Sequence, residues 1–187
     1  MFQKRKIKPK AKKCVMCLSE FSPFQMGQKV CSPKCASDYV IQQNAKKFKL
    51  ETKKRKQELK TNSELLKEAQ RAFNKYIRLR DQNQPCISCG RTNAVKWDAG
   101  HYRSIGSSSH LRFDENNVHK QCARPCNSDL SGNIIEYRKG LIKRIGLEKV
   151  LELEENNIPR KYKREEIIEI KKKYSKLARE QEKFNNL

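Results

Sequence analysis

Eight cysteines fall into two quartets, and this arrangement limits the chain more than any other feature. Cys14 and Cys17 are separated by two residues and are followed by Cys31 and Cys35; Cys86 and Cys89 repeat the first spacing and are answered by Cys122 and Cys126. A turn that presents two thiolates, closed by a second pair farther along, makes a tetrahedral set for a structural zinc ion. The competing reading is buried or oxidisable cysteines. However, no apolar run follows Met1 and no secretory cleavage pattern is visible, so the chain is expected in a reducing cytoplasm, where paired cysteines act as ligands. The quartets are not a true repeat, because their inner spacings differ.

Composition agrees with metal-stapled modules. Only 36% of the 187 residues are hydrophobic and 7% aromatic, too little for one large apolar core. The 43 Lys and Arg against 21 Asp and Glu leave a formal charge of +22. Two four-thiolate zinc sites would lower it by only four, so the partner is expected to be a polyanion, with affinity falling steeply as salt rises. A lipid surface or a merely solvated face are the alternatives. No stretch approaches a membrane span, and no basic amphipathic helix carries the bulky aromatics that lipid insertion uses.

Along the chain, residues 1–13 carry seven basic residues and read as a disordered basic arm. A four-cysteine zinc module over 14–36 follows, then a Lys-rich, Gly- and Pro-free helical linker over 37–60. Thr61 with Glu64 resembles a capping box opening an amphipathic helix over 61–82, with Leu65, Leu66, Ala69, Ala72, Phe73, Tyr76 and Ile77 at helical spacing. The second cysteine module runs over 83–132. Between Trp97 and Val118, Gly100, Gly106 and Ser107 to Ser109 suit a two-stranded hairpin with a flexible tip. The remainder, 133–187, reads as helical: a stripe of Ile134, Ile135, Leu141, Ile142 and Ile145, a short helix with Leu147, Val150 and Leu151, and a seam of Ile167, Ile170, Tyr174, Leu177 and Phe184. That seam can pack internally or form a dimer, and the internal reading is favoured because so short a coiled coil is marginal alone.

Between the second set of cysteine pairs the sequence reads WDAGHYRS from Trp97 and NNVHKQCARPCN from Asn116. This resembles the HNH nuclease family, in which a histidine on a first strand is followed by an asparagine before a cysteine pair and a His or Asn after it. His101, Asn117 and Asn127 fill those places. The Asn-terminated variant is similar to phage endonuclease VII, a Holliday-junction resolvase. More broadly, DAGHYRS, LRF, NNVHKQC, SGN and the flanking helices resemble the NinG (Rap) family of lambdoid phages, over most of the chain.

The resemblance implies a mainly α-helical fold around a zinc-stapled ββα-metal (His-Me finger) core, with an N-terminal zinc ribbon or knuckle. It also implies a structure-specific endonuclease for branched DNA, Holliday junctions and D-loops, in a bacterial host cell near the nucleoid. A neutral His101 would take a proton from water, and Asn127 would hold Mg2+ or Mn2+ through its amide oxygen. Asn117 would bridge the hairpin-loop backbone and aim His101. Two departures stand out: the position before the histidine, often an acidic or histidine ligand, is Gly100, and three residues separate Cys122 from Cys126 where two are common. Asp98, on the same strand face as position 100, is the substitute ligand, with Asp114 and His119 as further candidates. Arg103, Arg112 and Lys120 are candidate DNA contacts, whereas Trp97 reads as a packing residue and His110 as an ordinary surface or core histidine. A homodimer and recombination proteins are the expected partners. The alternatives are a non-catalytic zinc-finger nucleic-acid-binding protein and an HNH nicking enzyme without branch preference.

Overall fold

The structure, a computed structural model, describes residues 10–185. It is mainly helical with two small sheets, and it divides into two compact units at Lys60 and Thr61. Most of the expected basic arm lies outside the described residues; Lys12 and Lys13 at its end are not irregular but form a strand. Among the described residues no helix is long and apolar enough to cross a membrane.

In the first unit, β1 (Lys12–Lys13) pairs antiparallel with β2 (Glu20–Phe21). Ser32 then starts helix α1 (Pro33–Glu58): its hydroxyl accepts the Cys35 N–H, and Pro33 takes the first-turn position where its missing N–H costs nothing. Cys35 therefore lies inside the helix, so the zinc module and the expected linker over 37–60 are one continuous element. No residue of α1 is buried. Its helicity comes from a run of Lys, Gln, Glu and Ala uninterrupted by Gly or Pro.

The second unit begins at helix α2 (Asn62–Arg80), where the Thr61–Glu64 capping box is formed in both directions. Leu65, Ala69, Phe73 and Ile77 recur every fourth residue and are all buried. They pack against Ile167 and Tyr174 of α5 (Arg164–Asn185). Burying Leu65, Phe73, Ile77 or Ile167 contributes roughly 1.5–3 kcal/mol each, and the Ala69 methyl less. The C-terminal seam thus faces α2 within the chain, although its last member, Phe184, is exposed.

Between these helices, β3 (Trp97–His101) and β4 (Val118–Cys122) form an antiparallel hairpin in which Asp98 faces Gln121, Gly100 faces His119 and His101 faces Val118. Ala99 and Val118 join the α2–α5 core. On the other side lie α3 (Ile134–Ile145) and α4 (Leu147–Glu155), whose Tyr137, Leu141, Val150 and Leu153 enclose Ile87, Tyr102 and Leu111. Ile135, expected in the α3 stripe, is exposed; Tyr137 takes the inward position. Gly140 lets α3 press on the turn between Cys86 and Cys89, since a Cβ there would meet the Ile87 carbonyl oxygen at 1.9 Å. The hairpin loop is no flexible tip. Ser108 and Leu111 are buried, and Ser104 and Ser107 bond one another through their hydroxyls.

Candidate functional site

Each cysteine quartet brings four sulfurs within 4.8 Å of one another. A tetrahedral ion with Zn–S bonds of about 2.3 Å needs sulfurs about 3.8 Å apart. The closest pairs match: Cys17 to Cys31 is 3.5 Å and Cys31 to Cys35 is 3.7 Å, while Cys86 to Cys122 is 3.7 Å and Cys89 to Cys122 is 3.8 Å. Thiols this crowded cannot all ionise unaided. The Cys17 thiol and burial push Cys31 up to about 12, and burial pushes Cys126 up to about 12. Both quartets therefore have the donors and spacing of structural zinc sites.

The second site is reinforced by its surroundings. Cys126 lies in a wide, irregular turn, Ala123–Asn127, in which Arg124 is extended and which accommodates the extra residue between the cysteines. The chain then passes through Ser131, Gly132 and Asn133, all with positive φ, and this turn lets the Asn133 amide reach the Cys126 sulfur at 3.6 Å. Trp97 packs on the cysteine cluster.

His101 ends β3, half-buried, with Nε2 3.2 Å from the Arg112 carbonyl oxygen. A carbonyl can only accept, so this bond places the proton on Nε2 and leaves the Nδ1 lone pair free. Burial holds the imidazole below its ordinary pKa of 6.5; the Arg112 carbonyl opposes that shift and the Arg112 charge adds to it. The ring is accordingly neutral near pH 7.

The loop carrying Arg112 is tied down by Asn117, which is fully buried. Its Oδ1 accepts the Arg103 N–H at 2.8 Å, and its Nδ2 donates to the carbonyls of Arg103 at 3.0 Å and Leu111 at 3.1 Å. One side chain thus closes the loop whose next carbonyl holds His101.

Asp98 and Asn127 also meet, the Asn127 Nδ2 donating to Asp98 Oδ2 at 3.0 Å. His101 is not part of this pair. Asp98, Gly100 and Tyr102 share the pleat face toward α3, and the odd step from 98 to 101 puts His101 on the face of Ala99, toward α2.

The structure departs from the sequence reading at several charged side chains. The Arg103 guanidinium caps the C-terminus of α4, donating to the carbonyls of Leu153, Glu154 and Asn156, and so is not presented to a phosphate. Lys120 is buried; its ammonium donates to the Gln82 carbonyl at 2.7 Å and lies over the Trp97 ring. Arg112 has no side-chain partner among the described residues and remains available. His110 is engaged by the Asn156 carbonyl. His119 is buried and held down to about 3, chiefly by burial, and it lies beside the buried ion pair of Asp81 and Arg80. Asp114 lies on the hairpin loop, away from Asp98, with one oxygen accepting the Asn116 N–H.

Gln121 carries no signal in the sequence. Its Nε2 donates to Ser88 Oγ and the Gly132 carbonyl, which aims Oε1 at Gly100; a Cβ on Gly100 would meet that oxygen at 2.2 Å. The buried Oε1 has no partner among the described residues. Gly100 is therefore required by the Gln121 amide, and an unpaired oxygen lies where a side chain at position 100 would begin. All five residues of β4 are buried, so polar alternation is uninformative there; only the strand register locates Gln121. Asp98, Asn127 and Gln121 carry oxygens of the kind a hard divalent cation takes, and in the structure Asn127 turns its amide nitrogen, not its oxygen, to Asp98.

A family model described as the bacteriophage lambda NinG protein matches residues 6–185. The protein ninG of Escherichia phage 933W is 38% identical over 142 residues, covering 66% of this chain and 70% of the relative. That of Enterobacteria phage H19B is 39% identical over 142 residues with the same shares, and that of Escherichia phage lambda is 37% identical over 144 residues, again 66% and 70%. No solved structure is matched. With a match spanning both cysteine quartets, the hairpin and the flanking helices, this chain belongs to the bacteriophage NinG family.

Proposed function

We propose that this protein is a metal-dependent DNA endonuclease with an HNH-like zinc-stapled core that cuts branched DNA. The observation that carries the reading is the held, neutral His101: its Nε2–H is committed to the Arg112 carbonyl, its Nδ1 is free, and Asn117 fixes the loop that holds it. The excess of positive charge supports DNA as the partner.

In this mechanism His101 Nδ1 takes a proton from water as the water oxygen attacks phosphorus. The bond from phosphorus to the leaving sugar oxygen breaks, and that oxygen collects a proton from solvent. Asp98, Asn127 and Gln121 would hold the divalent cation. When bound, the cation supplies charge relief at phosphorus and assistance to the leaving oxygen. The sheet has only two strands, so one edge of β3 has no strand partner. A phosphate lying there would have Asp98 on one side and His101 on the other, with Arg112 free to pair with it.

The separation of His101 from the Asp98–Asn127 pair favours a second reading, a DNA-binding module that does not cut. Comparing linear duplex, four-way junction and D-loop substrates with Mg2+ or Mn2+ at one salt concentration decides between them. The proposal expects metal-dependent cutting that is strongest on the branched substrates. Binding without cutting on all three supports the module, and equal cutting on all three removes the branch preference.

A further inference from the structure

Beside the loop that holds His101 the structure contains a pocket of about 290 Å³ walled by Phe113, Tyr162 and Tyr174, with Ile170 at its side. That is at the small end of ligand pockets, which run from about 300 to 1,000 Å³, and it suits one planar group. The rings are fixed: the Tyr162 hydroxyl donates to the His110 carbonyl at 2.9 Å, the Tyr174 hydroxyl donates to Glu115 at 3.0 Å, and Phe113 meets Tyr162 edge to face at 5.3 Å. Two cations sit on them, Arg160 4.8 Å over the Tyr162 ring and Lys173 4.9 Å over the Tyr174 ring. Both are about half exposed or more and make only surface ion pairs, with Glu166 and Glu115, which leave them able to meet a phosphate. Asp114 also lines the pocket. One of its carboxylate oxygens accepts the Asn116 N–H, and the other has no partner among the described residues.

We infer that this pocket receives a single unstacked DNA base, with Arg160 and Lys173 on the adjoining phosphates and Asp114 accepting from the exocyclic amine of the base. Aromatic walls with basic rims are what base stacking and the nucleic-acid backbone require. A base inside a duplex must be unstacked and unpaired before it can enter, whereas an unpaired base at a branch point needs neither. Phe113 and Asp114 directly follow Arg112, whose carbonyl holds His101, so a base seated here places its strand beside the candidate cutting residue. Adenine, cytosine and guanine carry the amine that Asp114 accepts, and thymine does not.

This inference rests on DNA being the substrate, and the experiment separates the two failures. Equilibrium binding of the full chain is measured on a branched DNA with one unpaired adenine at the branch, on the same DNA with an abasic site or a thymine there, and on a linear duplex of equal length. Wild type is expected to bind the adenine branch roughly five- to a hundredfold tighter than the abasic branch, the contribution of one stacked base, with thymine between them. Tyr162→Ala is expected to abolish that difference and to leave duplex binding within about twofold. Equal wild-type affinity for adenine and abasic branches overturns the pocket while leaving the nuclease reading intact. Failure of wild type to bind any of these DNAs overturns both. The wild-type comparison decides the matter even if Tyr162→Ala does not fold.

Discussion

The two cysteine quartets share a coordination chemistry but sit in opposite surroundings. In the first unit Cys14 and Pro23 are the buried ones among the described residues, and α1 buries nothing. In the second, Cys86, Cys122 and Cys126 are buried next to a core that already holds Phe73, Tyr137, Ile77 and Leu141. The same four sulfurs thus do two jobs. In the first unit a bound ion would stand in for a core; in the second it would clamp a hairpin onto a core that exists without it.

Removing the ions gives the largest difference. Structural zinc in small domains carries about 10–16 kcal/mol of apparent binding free energy, which is also folding free energy. Cys14→Ser is therefore expected to erase amide protection across residues 12–31. Cys126→Ser is expected to loosen residues 86–133 while α2 and α5 stay protected. Hydrogen exchange read segment by segment checks both, and equal loss in the two units breaks the contrast.

Acid should also separate the units, because the three histidines all lie in the second. Burial depresses His119 from its ordinary 6.5 to about 3, so the unfolded state binds a proton that the folded state refuses. That stabilisation is complete above about pH 6.5 and is lost progressively as pH falls toward 3, at up to about 1.4 kcal/mol per pH unit. His101, also depressed, adds to the loss in the same direction. Denaturant midpoints followed by Trp97 fluorescence between pH 7 and pH 4 measure it, and a flat profile would remove the buried neutral histidines from the account.

A smaller effect concerns DNA. Replacing Lys53, Lys54, Arg55 and Lys56 of α1 with Gln is expected to lower the slope of log affinity against log salt by up to about 3.6, four phosphate contacts at roughly 0.9 each. Arg103→Gln should leave that slope unchanged and cost roughly 1 kcal/mol of stability, because its guanidinium closes the end of α4. A slope change from Arg103 and none from α1 would contradict both expectations.

What sequence could and could not show follows the same division. Helix periodicity was legible where one face is apolar: Leu65, Ala69, Phe73 and Ile77 announce α2, and Thr61 with Glu64 announces its start. The cysteine pairs were legible because ligand spacing is local. Tertiary polar contacts were not. Arg103 and Lys120 carry the charge of phosphate ligands, and nothing near them in sequence says that α4 carbonyls and Gln82 will take that charge. Ile135 looks apolar and points outward, while Tyr137 and Gln121 look amphipathic and point inward. Gly100 reads as a lost ligand in one dimension; in three it is the space that the Gln121 amide fills.

The most direct test is the single-turnover cutting rate of a synthetic four-way junction, followed against pH with Mg2+ or Mn2+, for wild type and for His101→Ala, with junction affinity measured alongside. A neutral His101 predicts a wild-type rate that rises with pH and levels off below the ordinary imidazole value of 6.5. It also predicts a variant slower by roughly 10²–10⁴-fold that binds the junction as tightly as wild type. A variant that cuts at the wild-type rate, or a wild type that binds the junction and never cuts it, would contradict the account.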